Sequence, residues 1–256
     1  MSLKFSIITC TLNSIKCLDQ SIRSVLAQDY PNIEYIFIDG GSDDGTIDLI
    51  NKIDQPIVLV NDIAGGISAA MNKGIEMATG DVIAHLHSDD YYLHEKVISS
   101  AADTLEVSGA EWCFGRGMND IGGEVKPEPW KVPTYSYRRL MKGNFIPHEA
   151  TFVRRRVFAH LGVYNTAYRY AMDYDMWLRI GKVYTPVQVD EHWGVFRRHE
   201  DSISTANEIE GFREDFKVRI SHIDKTPWNY AYHYLHFFFR QFRLQRRLQR
   251  QTLVIL

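Results

Sequence analysis

The chain reads as an α/β protein with a mostly parallel central sheet flanked by helices, and three observations predict this. Apolar runs suited to strands alternate four times, between Phe5 and Glu95, with segments whose apolar residues recur at helical spacing. The strand runs, IEYIFI and PIVLV among them, are apolar on both faces, as strands covered by right-handed helical crossovers must be. Acidic clusters stand after the second and fourth runs, at the sheet edge where such folds gather ligands.

The first strand is expected over Phe5 to Cys10, followed by a helix whose face carries Leu18, Ile22, Val25 and Leu26. Ile33 to Ile38 precedes a helix from about Thr46, Ile57 to Val60 one from about Ile67, and Val82 to Leu86 one near Glu95. A strand near Glu111 to Arg116 closes the regular part. A Gly- and Pro-containing stretch from Gly122 to Pro133 leads into helical segments near Tyr135 to Met141 and Arg154 to Leu161. A helix is expected from about Tyr174 to Lys182, strands near Val187 and Val195, and a helix over roughly Ala206 to His222. From Pro227 the pattern changes to aromatic residues followed by Arg240, Arg243, Arg246, Arg247 and Arg250.

The 256 residues, 45% of them hydrophobic, suffice for one substantial core. The balance of 29 basic and 32 acidic residues gives a net charge of -3 and no global attraction to nucleic acid. Cys10, Cys17 and Cys113 have neither metal spacing nor an even count, which suits free thiols in a reducing compartment. The first strand begins by Phe5, so no export signal is expected. The most apolar late segment, Tyr230 to Phe239, carries His233 and His236 and falls short of the ~20 apolar residues of a spanning helix. A cytoplasmic protein is expected on these grounds.

Asp39 ends the second strand and is followed by Gly40-Gly41-Ser42-Asp43-Asp44-Gly45-Thr46, a polar turn in which Asp44 or Thr46 could equally cap a helix. His87-Ser88-Asp89-Asp90 follows the fourth strand and should share its edge with Asp39. No GxGxxG follows the first strand, which argues against a dinucleotide-dependent oxidoreductase.

From Lys4 to about Ser204 these segments, in order, resemble the family 2 glycosyltransferases, whose fold is called GT-A. SIITCTLN is similar to the family's first strand and nucleotide-contacting turn, and IDGGSDDGT to its second-strand motif. AGGISAAMNKGI is similar to the third crossover, and ATGDVIAHLHSDD to the strand ending in a metal-binding DxD. The resemblance implies a GT-A domain over 1–205, with a nucleotide-sugar half to about 116 and an acceptor half over 117–205. A helical extension then covers 206–256. It implies donor contacts from Thr9, Thr11, Asn13, Asp39, Asp62, Gly66, His87, Ser88 and Asp89. It also implies a divalent Mn2+ or Mg2+, held by Asp89, with His87 and His199 as further candidates. Hard oxygen ligands suit these cations, which neutralise a leaving diphosphate. His87 stands where the family commonly has Asp; ligand, sugar contact and packed strand-end residue all remain open for it. Asp90 is read as support for the following helical turn.

RYAMDYDMWLRI is similar to the family segment in which Glu-Asp opens a helix, with Met172 in the Glu place. This implies Asp173 as the general base of an inverting transfer, against the alternative that it only caps the helix. Asp175 is the second candidate. Asn144 to Glu149 resembles the loop lining the acceptor cleft and places His148 there, while Phe196-Arg197-Arg198-His199 with Ser202 and Ser204 resembles the segment approaching the diphosphate. The implied acceptor is a glycan or lipid-linked molecule of cell-surface polysaccharide synthesis. The aromatic and arginine-rich C-terminal helix suits a membrane surface, with a packing helix at a homodimer interface as the alternative. His87 and Met172 at usually acidic positions motivate a second functional reading, a non-catalytic nucleotide-sugar or glycan-binding protein.

Overall fold

The computed structural model describes residues 2–128, 131–198 and 207–255, with side chains as far as 246. Its first half follows the expected strand and helix alternation: β1 (Phe5–Thr11), α1 (Leu18–Leu26), β2 (Ile33–Asp39), α2 (Thr46–Ile50), β3 (Ile57–Val60), α3 (Gly66–Met77) and β4 (Val82–His85). These four strands lie parallel in the order β3-β2-β1-β4. The register pairs Thr11 with Asp39 and Ile8 with His85, which brings the strand ends carrying the acidic clusters to one edge.

Beyond β4 come β5 (Tyr91–Tyr92), α4 (Val97–Ser108), β6 (Trp112–Ile121), β7 (Glu124–Pro127), α5 (Tyr137–Leu140) and a 3-10 turn at His148–Ala150. They are followed by β8 (Thr151–Arg154), α6 (Arg155–Leu161), α7 (Met172–Val183) and β9 (Val187–Arg198). Here the sheet becomes mixed. β8 runs antiparallel to both β4 and β6, β9 is parallel to β6, and β5 and β7 add antiparallel pairings. Two local readings change: β8 occupies Thr151 to Val153, for which no element was expected, and Arg154 at the edge of the expected helix, and the two short strands expected near Val187 and Val195 are one.

Alternation along β1 divides the core. Ile8 and Cys10 face α3, α6 and α7, where Met71, Phe158 and Trp177 are buried. Phe5 and Ile7 face α1, α2 and α4, where Ile22, Ile50 and Ile98 are buried. Cys10 and Cys113 are free and buried, and Cys17 is free and half-buried.

The last two helices are α8 (Glu208–His222) and α9 (Pro227–Ile255). Val218 of α8 is fully buried in the main core, so α8 packs against the domain. It also closes the start of α7, which has no capping side chain of its own. The Glu214 carboxylate accepts the backbone N–H groups of Arg169, Tyr170 and Ala171 at 3.1, 2.5 and 2.8 Å. An acid at a helix N-terminus satisfies orphan donors and complements the helix dipole. Phe237 of α9 stacks on Phe212 and Phe216 of α8 at 5.2 and 4.1 Å.

Candidate functional site

At the ends of β1 and β2 a hydrogen-bond chain joins several of the expected donor residues. Asp39 is fully buried, and its carboxylate accepts from the Thr11 hydroxyl (2.6 Å), the Ser42 hydroxyl (2.6 Å) and the N–H groups of Gly41 (2.8 Å) and Ser42 (2.7 Å). Burial raises its pKa, but the donors from Ser42, Thr11 and Gly41 outweigh that and hold it below the ordinary range. Four donors match the capacity of one carboxylate. Asn13, in the left-handed region at φ 51, donates its N–H to Ser42 Oγ and accepts from Asp43 N. Ser14 Oγ lies 2.8 Å from Ser88 Oγ, tying the β1 turn to the end of β4. Asp62 Oδ1 lies against Gly41, and Ile63 N donates to the Asp39 carbonyl. Gly66 is exposed at the start of α3. Thr9 sits apart from this group: it is fully buried, and its hydroxyl donates to the Leu86 carbonyl at 2.7 Å. Asp44 accepts from Thr46 and from Ile15 N and so fixes the turn before α2, but the N-cap itself is Gly45 and not the expected Asp44 or Thr46.

At the end of β4 three histidines converge. His87 stacks on His148 with ring centroids 5.0 Å apart at 10°, and His85 lies 5.6 Å from His148 and 5.2 Å from Tyr164. His148 in turn lies 5.7 Å from Trp177 of α7. Burial pushes the His85 imidazole down to about 3, with His87 adding to the effect, and lowers His87 and His148 as well. The result is a neutral wall from the end of β4 to α7. His87 thus takes the packed strand-end arrangement. Asp90 departs from expectation: it stabilises no helical turn but accepts the Arg197 N–H at 3.2 Å, anchoring the end of β9. Arg197 pairs with Asp120 and lies over the Tyr91 ring, while Arg198 donates to Asn119 at 2.6 Å. His199, Ser202 and Ser204 lie outside the described residues.

On the other side of the wall, Asp173 sits half-buried in the first turn of α7. Asn144 Nδ2 donates to its Oδ2 at 2.8 Å and Tyr174 N to its Oδ1 at 2.6 Å. Burial dominates over these donors and raises the carboxyl to about 6. Met172 packs against the core. Asp175 turns elsewhere: it is buried, and it pairs with Arg179 Nε and with His222 Nε2 of α8, both at 2.9 Å. These contacts make Asp175 a clamp between α7 and α8, which overturns its candidacy as a base and its acceptor-side placement.

Glu149 ends the segment expected to line the acceptor cleft, and sequence reasoning assigned it no role of its own. It is buried, and burial with the neighbouring charges of Glu128, Asp173 and Asp89 raises its carboxyl to about 7. Gly117 and Gly194, paired across β6 and β9, make its room; a Cβ would come within 2.7 Å of Glu149 Oε1 at Gly117 and 2.4 Å of Glu149 Cγ at Gly194. Glycine inside a strand signals such close approach, and that was the clue available in the sequence. Beside Glu149 lies a cavity of ≈ 180 Å³ lined by Arg116, Gly117, Glu128, Asn144, Phe145 and Pro147, among others.

Among the described residues no group of three His, Cys, Asp or Glu side chains is arranged to hold a metal ion. Asp89, half-buried at the end of β4, fits the sparser arrangement in which one carboxylate and ligand phosphate oxygens share a magnesium or manganese ion. The stacked His87 ring, with Nδ1 buried, does not fit a ligand in this arrangement.

With this geometry in hand, residues 6–162 match the model of the family described as Glycosyl transferase family 2. The chain belongs to this family. It is 30% identical over 194 residues, 72% of this chain and 71% of the relative, to a protein of Mycobacterium tuberculosis named as a glycosyltransferase. It is 32% identical over 180 residues, 68% of each chain, to a PGL/p-HBAD biosynthesis glycosyltransferase of Mycobacterium bovis. In fold it is similar to S. aureus TarS 1-349 in complex with UDP-GlcNAc, at TM-score 0.70 and 16% identity over 89% of this chain and 69% of that one. It is also similar to the mannosyltransferase PcManGT of Pyrobaculum calidifontis in complex with GDP-Man and Mn2+, at TM-score 0.67 and 15% identity over 89% of this chain and 67% of that one. The fold of this family 2 glycosyltransferase is therefore GT-A, as expected.

Proposed function

We propose that this family 2 glycosyltransferase moves a sugar, with inversion, from a nucleoside-diphosphate sugar to a hydroxyl of a glycan or lipid-linked acceptor in cell-surface polysaccharide synthesis. The observation that carries this reading is Asp173: a carboxyl raised to about 6, aimed by Asn144 and Tyr174, across a neutral histidine wall from the Asp39 and Asp89 edge. The acceptor oxygen attacks the anomeric carbon while the bond from that carbon to the diphosphate oxygen breaks, and its electron pair leaves with the diphosphate. The acceptor proton passes to Asp173, which is mostly ionised at neutral pH yet basic enough to receive it. The Asp39 turn, already polarised by its donors, would position the nucleotide. Asp89 would hold a divalent cation, which supplies charge neutralisation to the leaving diphosphate. Binding of such donors by TarS and PcManGT, proteins of the same fold, supports this assignment of the edge.

No described helix is long and apolar enough to cross a membrane. α9 nevertheless leaves Trp228, Leu235, Phe239 and Phe242 exposed, at 84, 71, 61 and 51%, with Arg243 and Arg246 over the rings of Phe239 and Phe242. This face, not the inward Phe237, would rest among the headgroups at the inner side of a membrane, while a second copy of the chain is the alternative cover. Replacing Trp228, Leu235 and Phe239 by Ser should abolish liposome binding; a loss of dimer instead would reassign the face.

The donor assignment is tested by thermal shift with UDP-, GDP-, dTDP- and CMP-sugars, with and without Mn2+. One nucleotide class should stabilise the protein in a metal-dependent manner, and this should vanish in Asp89→Ala. The proton NMR spectrum of the product should show the inverted anomer. No response to any donor, or a retained anomer, would overturn the reading.

A further inference from the structure

Two guanidinium groups from different helices converge on the loop that carries Asn144. Arg219 of α8 donates to the Lys142 carbonyl through NH1 at 2.8 Å, and Arg240 of α9 donates to the same oxygen through NH1 at 2.9 Å. Gly143, next in the chain, has no side chain where the Arg240 guanidinium sits; a Cβ there would come within 2.5 Å of its NH1. Arg219 lies over Phe216 and Arg240 over Phe212, so aromatic faces hold both groups flat. Arg219 is only 2% exposed, and its Nε has no partner. Among the described residues no carboxylate lies within ion-pair distance of either arginine. The acid that faces them, Asp215, is raised to about 7 by burial and by Asp173, against the lowering effect of the Arg240 and Arg219 charges. His233 and His236, which adjoin the pair, are held neutral by burial and by the arginine charges.

Like charges brought to one oxygen repel, and a buried guanidinium with an unused donor is costly unless an anion joins it. Planar guanidinium forks match phosphate oxygens, and the exposed Lys142 adds a third positive charge that, like theirs, lowers His233 and His236. Two residues along the loop, Asn144 holds Asp173. We infer that Arg219, Arg240 and Lys142 form a phosphate subsite for a phosphate-bearing acceptor, placing its reactive hydroxyl beside Asp173. This rests on the reading of Asp173 as the base, and it narrows the acceptor class to phosphorylated glycans or lipids.

The test measures binding of inorganic phosphate to the full chain by 31P NMR, at constant ionic strength, without donor or turnover. Arg240→Gln and Lys142→Gln should each weaken binding about tenfold, as loss of one charge-assisted hydrogen bond implies. Asp173→Asn should leave it unchanged, so that a failed base assignment and a failed subsite give different results. Circular dichroism checks that the variants fold; Lys142→Gln, at an exposed position, keeps the test open if Arg240→Gln does not fold. Unchanged phosphate binding in the folded variants would overturn the subsite, as would binding lost only in Asp89→Ala. Vesicles of phosphatidylcholine with and without phosphatidylglycerol separate the remaining source. If the two variants lose vesicle binding but keep inorganic phosphate, the cations serve a lipid surface and the proposal fails.

Discussion

Asp39 and Glu34 of the parallel half and Asp173, Glu149 and Asp215 beyond it are treated in opposite ways, while Asp90 of the first half is raised by burial and Asp175 of the second is lowered by His222 and Arg179. Asp39 and Glu34 are surrounded by donors: Asp39 receives four hydrogen bonds, and Glu34, bonded to Ser6, Thr79 and Lys4, is lowered to about 2 although burial opposes this. Asp173, Glu149 and Asp215 are buried with fewer donors and rise to about 6, 7 and 7. A fixed charge suits a surface that must hold a nucleotide in place, whereas a carboxyl near neutrality suits proton transfer. The difference follows from backbone geometry. At Asp39 the turn after a parallel strand aims the successive N–H groups of Gly41 and Ser42 at one carboxylate, whereas Asp173 and Asp215 stand on helices whose N–H groups are largely spent along the helix.

The sharpest way to break this contrast is Asp173→Asn, which should lower transfer by about 10²- to 10⁴-fold while donor affinity stays within about twofold. Activity surviving that change would remove the base from α7. The folded carboxyl titrates above its ordinary 3.8, so the folded state binds more protons than the unfolded one between about pH 4 and 6. Its contribution therefore opposes folding above that window and fades as pH falls through it. Asp173→Asn should accordingly not lower Tm at pH 7, and wild-type kcat/KM should fall about tenfold per unit below pH 6. A profile flat from pH 7 to 5 would reassign the group.

Asp39→Asn should behave in the reverse sense, costing about 1–3 kcal/mol in urea unfolding at pH 7 because buried donors lose a charged acceptor. A neutral result would mean that the turn is held by its glycines alone. Gly194→Ala probes the cradle of Glu149. The methyl must displace Glu149 or β9, and a loss of about 1–3 kcal/mol is expected, with transfer reduced in parallel. If stability drops but transfer per folded molecule is intact, Glu149 has only a packing role. The smallest expected change in transfer is for Asp175→Asn, which removes the charge from a buried carboxylate paired with Arg179 and His222 and should cost about 3 kcal/mol in stability, with transfer per folded molecule within a few-fold of wild type. A collapse of activity there would return Asp175 to the chemistry.

The parallel half was legible from its residues because its order comes from local patterns. Strands of four to seven apolar residues and helices with one apolar face need only nearby sequence to be recognised, and Ile57–Val60 was bounded correctly. Asp39, Asp89 and Asp173 were likewise visible, since they stand at strand ends and at a helix start where ordered motifs place acids. β8 was not legible. Its partners β4 and β6 lie about seventy and forty residues upstream, and pairing, not local propensity, makes TFVR a strand.

What the sequence determined alone was therefore the α/β class, the sheet edge with its acids, and the family. Only the tertiary structure decided which acids are saturated and which are held near neutrality. It tied Asp175 to Arg179 and His222 and raised Asp173 to about 6, although the two stand in one helical turn. It also brought Glu149 between Gly117 and Gly194 and closed the start of α7 with Glu214 from α8. The physical reason is that a carboxyl's pKa is set by burial and by the donors and charges within a few ångströms, and those neighbours come from segments far apart in the chain.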